Sequence, residues 1–79
     1  MNEIDIDKIL EALGGVDNIS LVEPCVTRLR FEVRERGRVD LARLQPPLCY
    51  GATVMGTAVQ VIVGPNAEIA VDEIRDRFH

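Results

Sequence analysis

The spacing of apolar positions changes several times along this chain, and each change marks a new element. Ile6, Ile9, Leu10 and Leu13 recur at i, i+3, i+4 and i+7, the stripe of an amphipathic helix over about Ile4 to Leu13. Asp5 or Asp7 can cap its start and Gly14-Gly15 can stop it. Val16-Asp17-Asn18 turns the chain, and Ile19 to Val22 reads as a short strand that Pro24 ends, since proline has no amide hydrogen for a ladder. From about Thr27 to Val33 the period becomes two, with Leu29, Phe31 and Val33 on one face and Arg28, Arg30 and Glu32 on the other. After a polar turn from Arg34 to Arg38, Val39 to Leu44 fits a short helix with Asp40 as its cap, Leu41 and Leu44 on its buried side and Pro46-Pro47 beyond it. Two further strands, roughly Ala52 to Met55 and Ala58 to Val63, flank a Gly56-Thr57 hairpin turn. In the last of them Val59, Val61 and Val63 share one face, and Gln60 and Ile62 share the other. Pro65 suits the first turn of a final helix over about Ala67 to Arg77, with Ile69, Ala70, Val71, Ile74 and Phe78 as its apolar side.

The predicted order is helix, strand, strand, helix, strand, strand, helix. Each strand has one clearly apolar side, and tight turns force neighbouring strands to run antiparallel. The expected fold is therefore α+β: a four-stranded antiparallel sheet with three helices on one face, formed by residues 1–79 as a single domain. The other face of the sheet stays open to solvent or a partner.

Composition narrows the function classes. The chain has 79 residues, 47% of them hydrophobic and 28% charged, which suits one small packed domain and excludes disorder. The core must be mostly aliphatic, because there is no Trp and only two Phe and one Tyr. A net charge of −4 argues against nucleic acid as a partner, since a phosphate backbone demands a basic footprint. The basic residues are uneven, however, with Arg28, Arg30, Arg34, Arg36, Arg38 and Arg43 close together, a patch that suits a small anion or an acidic partner surface as well as plain solvation. The acidic opening Met1-Asn2-Glu3-Ile4-Asp5 is the reverse of a secretory start, so both cysteines are expected to be reduced and cytosolic. No apolar run approaches the roughly 20 residues that cross a bilayer, so no direct membrane insertion is expected and any membrane role must come through a partner.

The candidate chemistry lies at Cys25, which directly precedes the alternating strand. Two guanidinium groups, Arg28 and Arg30, follow on the polar face, where positive charge can favour a thiolate or hold a phosphate. At about 6 Å and an effective dielectric near 20, each arginine could contribute on the order of 2–3 kcal/mol toward an anion before solvent screening. Lowering a thiol's pKa also lowers its nucleophilicity, so stabilising a transferred phosphoryl group is the more useful task for the arginines. Amides of Val26, Thr27 and Arg28 in the tight turn could form an anion-binding concavity, with the Thr27 hydroxyl beside them. A plainer reading fits the same spacing: Cys25 as a small half-buried hydrophobe, Thr27 as a strand former and the arginines as a wet face.

Other cysteine chemistries lack their partners. A tyrosine phosphatase loop needs arginine six residues after its cysteine, where this chain has Phe31. A metal site has too few ligands in Cys25, Cys49 and terminal His79, and a cysteine hydrolase would need an internal histidine. Cys25 and Cys49 are not spaced as a redox pair, and Cys49 reads as a packing residue. No metal and no cofactor are called for. Phosphoryl exchange needs positioning and charge more than proton transfer, so a chain without an internal histidine can perform it.

Leu13-Gly14-Gly15, Asn18-Ile19, the block Cys25-Val26-Thr27-Arg28-Leu29-Arg30-Phe31-Glu32-Val33 and the segment Val59-Gln60-Val61-Ile62-Val63-Gly64 together resemble the IIB domain of the glucose superfamily of the bacterial sugar phosphotransferase system. The resemblance covers about Ile4 to Phe78. It implies that Cys25 accepts a phosphoryl group from a phosphohistidine of a IIA protein and passes it to sugar held by a membrane IIC protein, at the cytoplasmic face of the membrane. It also implies that Arg28 and Arg30 assist transfer to the sugar, that Val26 and Thr27 belong to the phosphate-cradling turn, and that Gln60 lies near the cysteine. Pro46-Pro47-Leu48-Cys49-Tyr50-Gly51 departs from the family's smoother approach to the third strand. Such domains are often fused to IIC, so the chain is expected to be either a free-standing IIB component or an excised domain.

Overall fold

A computed structural model describes residues 4–78, which leaves His79 and the first three residues of the acidic opening outside the description. The first helix, α1 (Ile6–Ala12), starts where its sequence says it should: the Asp5 carboxylate accepts from the Lys8 amide at 3.1 Å. It stops at Gly14, whose φ of +100° and whose close approach to the Asn18 amide and the Arg38 backbone leave no room for a Cβ. A 3₁₀ turn at Val16–Asn18 leads into β1 (Ile19–Cys25), followed by β2 (Arg28–Val33), β3 (Gly51–Met55), β4 (Ala58–Ile62) and α2 (Ala67–Asp76).

The four strands form one antiparallel sheet in the order β1-β2-β4-β3. The alternation expected in β2 and β4 holds: Leu29, Phe31, Val33, Val59 and Val61 are buried, and they share a core with Ile6, Ile9, Leu10 and Leu13 of the first helical stripe. Phe31 is the largest fully buried side chain. The helices thus cover one face and leave the other open. Asn18, the one buried polar residue described, is fully satisfied: it donates to the Leu13 and Glu35 carbonyls at 2.7 and 3.1 Å and accepts from the Glu35 amide at 2.9 Å.

Three expectations are corrected. Among the described residues there are two α-helices, not three: the segment from Val39 to Leu44 makes only a 3₁₀ turn at Leu41–Arg43, with another at Arg36–Arg38. The stretch between that turn and Pro46-Pro47 is too short to repay α-helix nucleation, and Asp40 makes no side-chain cap. Only Leu44 of the expected pair is buried, and Leu41 is exposed. In α2 the core side is Ala67, Ala70, Val71 and Ile74, while Ile69 and Phe78 are exposed.

The third correction concerns Pro24, which does not end its strand. β1 runs through it to Cys25, with Pro24 opposite Leu29. Proline is tolerated because β1 is an edge strand, where a missing amide hydrogen can face outward. The register slips between Ile19 and Leu21, leaving Ser20 as an extra residue. That bulge reverses the parity of β1. Ile19 and Val22 can then both be buried, and Leu21, Glu23 and Cys25 fall opposite Glu32, Arg30 and Arg28 on the open face.

Candidate functional site

Cys25 is the last residue of β1, exposed and unpaired with any other cysteine. It stands directly across the ladder from Arg28, at the roughly 4.5–5.5 Å Cα spacing of antiparallel partners. Val26 and Thr27 form the two-residue turn between them. Val26 has a φ of +58°, the one positive value at a non-glycine residue among those described, and its side chain is 88% exposed. A β-branched residue here is strained, and this φ at the first turn position ordinarily selects glycine. The Thr27 carbonyl accepts from the Val63 and Gly64 amides at 2.9 and 3.0 Å, which ties the turn to the chain leaving β4. Neither the Val26 nor the Thr27 amide donates to a backbone carbonyl among the described residues, so both can receive an anion.

The next rows of the sheet complete the open face. Arg28 lies opposite Ile62, and Arg30 lies between Glu23 on β1 and Gln60 on β4. Arg28 Nη1 donates to Gln60 Oε1 at 3.1 Å, a neutral partner that orients the guanidinium without cancelling its charge. The sequence therefore located Gln60 on the correct face. Five of the six expected site residues, Cys25, Val26, Thr27, Arg28 and Gln60, gather around this turn and its first hydrogen bond.

Comparison with known proteins identifies the family. The chain is 44% identical over 70 residues to the N-acetylglucosamine-specific EIIB component of the Streptomyces coelicolor PTS system, covering 89% of this chain and 91% of that protein. This chain belongs to the EIIB family of the phosphotransferase system. The family model described as phosphotransferase system, EIIB, matches residues 7–40, which include the Cys25 turn. The N-acetylglucosamine-specific EIICB component of Bacillus subtilis is 37% identical over 95% of this chain, and the maltose-specific EIICB component of Escherichia coli is 34% identical over the same share. This chain spans only 17% and 14% of the lengths of those two proteins. The crystal structure of one domain of the PTS system IIabc component from Clostridium difficile superposes with a TM-score of 0.71 and 25% identity, over 91% of this chain and 77% of that one. As an EIIB component the chain is a phosphocarrier in sugar uptake and part of a sugar phosphotransferase. Among the described residues no helix is long and apolar enough to cross a membrane.

Within the candidate site the two arginines differ. Arg30 Nη1 lies 2.7 Å from Glu23 Oε1, and Nη2 lies 3.5 Å from Glu32 Oε2. Glu32 is fixed in turn by the Thr57 hydroxyl, which donates to Oε1 at 2.8 Å. Arg28 has no carboxylate within ion-pair distance among the described residues. The sequence does not lead to Glu23 on this face, because taking Pro24 as a strand end hides the fact that Glu23 and Cys25 share it. Its signal was the i, i+2 spacing to the cysteine.

Cys49 is no part of this arrangement. It is buried, its thiol donates to the Gly51 carbonyl at 3.5 Å, and burial pushes its pKa up. Gly51 lies in the same row as Cys25 but three strands away, about 14 Å at the usual strand spacing, against the roughly 7 Å limit for Cα atoms in a disulfide.

Proposed function

We propose that Cys25 is the phosphoryl-accepting nucleophile of this EIIB domain and that residues 1–79 form that single domain. The donor is a phosphohistidine of a IIA protein, and the acceptor is sugar held by a membrane IIC protein, through which the domain works at the cytoplasmic face. Relatives in which IIB is fused to C or to C and A components support these partners. The relatives' names include N-acetylglucosamine, glucose, glucoside and maltose specificity, which fits a IIB body that handles the phosphoryl group and leaves sugar choice to IIC.

In the first step the Cys25 sulfur attacks phosphorus, an S–P bond forms, and the N–P bond of the donor breaks with its electron pair going to the imidazole. The thiol proton is balanced by one taken up on that imidazole. In the second, a sugar hydroxyl oxygen attacks the same phosphorus, the S–P bond breaks, and the thiolate leaves while the hydroxyl proton is released. Three equatorial oxygens carry charge in each transition state, which is what positioned donors can stabilise. Arg28, the Val26 and Thr27 amides and Gln60 serve that role, Gln60 by orienting Arg28, and Arg30 joins them in the transfer to sugar. The observation that carries this reading is the exposed Cys25 directly opposite Arg28, whose charge no carboxylate offsets among the described residues.

Charging by a phosphorylated IIA protein and sugar phosphorylation by IIC membranes separate the two steps. Arg28→Lys and Arg30→Lys are expected to accept phosphate but to lower sugar turnover by about tenfold or more, since lysine cannot reproduce a planar bidentate contact. Turnover at the wild-type rate in both variants would remove the arginines from the mechanism.

A further inference from the structure

We infer that Glu23 is a positioning residue which, with Glu32, parks Arg30 away from Cys25 until the cysteine carries a phosphoryl group. The inference rests on the reading of Cys25 as phosphoryl acceptor. Three observations lead to it. Glu23 lies two residues before Cys25 on the same face of β1, about 6.8 Å along the strand. It makes the shortest ion pair described, 2.7 Å to Arg30, and that pair is half-exposed and therefore able to exchange partners. Glu32 holds the second arm of the same guanidinium at 3.5 Å and is itself anchored by Thr57, so the parked position is held from two sides.

The arrangement gives the two arginines different timing. Arg28 meets the incoming phosphoryl group with its charge already free. Arg30 can reach it only by giving up Glu23, so part of its attraction for the phosphocysteine is spent on breaking that pair. The phosphocysteine is then held less tightly than two free arginines would hold it. A carrier benefits from that, because a phosphocysteine held less tightly in its ground state leaves more interaction to be gained in the transition state of onward transfer.

The test uses the full chain, a phosphorylated IIA protein as donor, intact-mass measurement of the charging equilibrium, and NMR of ¹⁵N-labelled arginine side chains. Glu23→Gln is expected to shift the equilibrium toward the phosphorylated chain about two- to fivefold, the scale of one exposed ion pair. Glu23→Asp is expected to stay near wild type. In the wild type, the Arg30 guanidinium signals are expected to move on phosphorylation, and in Glu23→Gln they are expected to differ from wild type before any phosphate arrives. An unchanged equilibrium in Glu23→Gln overturns the inference. So does a shifted equilibrium with stationary Arg30 signals, which would mean that Glu23 only repels phosphate. A wild-type chain that takes no phosphate on Cys25 overturns the underlying reading along with it, so the two failures are told apart by the wild-type control. Folding of each variant is checked by its thermal transition.

Discussion

The sheet contains the same turn twice. Cys25-Val26-Thr27-Arg28 joins β1 to β2, and Met55-Gly56-Thr57-Ala58 joins β3 to β4. Both have two-residue loops, and both have a positive φ at the first loop residue, +58° at Val26 and +62° at Gly56. In both, the threonine carbonyl accepts an amide of a neighbouring segment at 2.9 Å, from Val63 in one case and Val33 in the other. The backbone scaffold of the candidate site is thus an ordinary product of this sheet. What differs is the chemistry mounted on it: cysteine and arginine in place of methionine and alanine, and a β-branched residue where the other turn has glycine. Strain retained at one of two equivalent turns, next to the exposed Cys25, points to a fixed turn geometry that serves the candidate site.

Exchanging the turn residues breaks this comparison most directly. Gly56→Val places a branched side chain at the same backbone angle without the neighbouring site and is expected to destabilise the chain by about 1–3 kcal/mol in chemical denaturation. Its charging rate is expected to stay within about twofold of wild type. The reverse change, Val26→Gly, relieves the same strain while adding chain entropy, so stability is expected to rise, by up to about 2 kcal/mol. Charging by phosphorylated IIA is expected to fall about three- to tenfold, because a loosened turn no longer fixes the thiol against the amides. If Val26→Gly charged at the wild-type rate, the strain would have no role in positioning.

The two cysteines sharpen the contrast on a smaller scale. Cys49 stays neutral in the folded chain because burial raises its pKa, whereas in the unfolded chain it ionises at the ordinary thiol value. Its contribution to stability is therefore complete below that ordinary value and is lost as pH rises through the higher folded one. The slope is at most about 1.4 kcal/mol per pH unit. Cys49→Ala is expected to flatten that alkaline decline in denaturation curves measured across the range, whatever the packing cost at neutral pH.

Much of this was legible in the chain itself. The alternation in Leu29, Phe31 and Val33 and in Val59, Val61 and Val63 set the two inner strands and their faces, and with them the side on which Gln60 meets the arginines. Such alternation is strong because burial on one face punishes any slip of register. The segment from Val39 to Leu44 misled because two apolar residues at i, i+3 fit a single 3₁₀ turn as well as a helix. The far end of β1 misled for two reasons that no local pattern reveals: Pro24 is allowed only because β1 lies at the edge, and the Ser20 bulge reverses the parity of everything after it. Arg28 and Arg30 looked equivalent in sequence. Their difference depends on Glu23 and on Gln60, which register alone places beside them.

The most direct test of the central claim is the intact mass of the chain after incubation with a phosphorylated IIA protein. The account predicts one added phosphoryl group, linked to sulfur at Cys25 and absent from Cys25→Ser. Undiminished labelling of Cys25→Ser, or no thiol-linked phosphate on the wild-type chain, would contradict it.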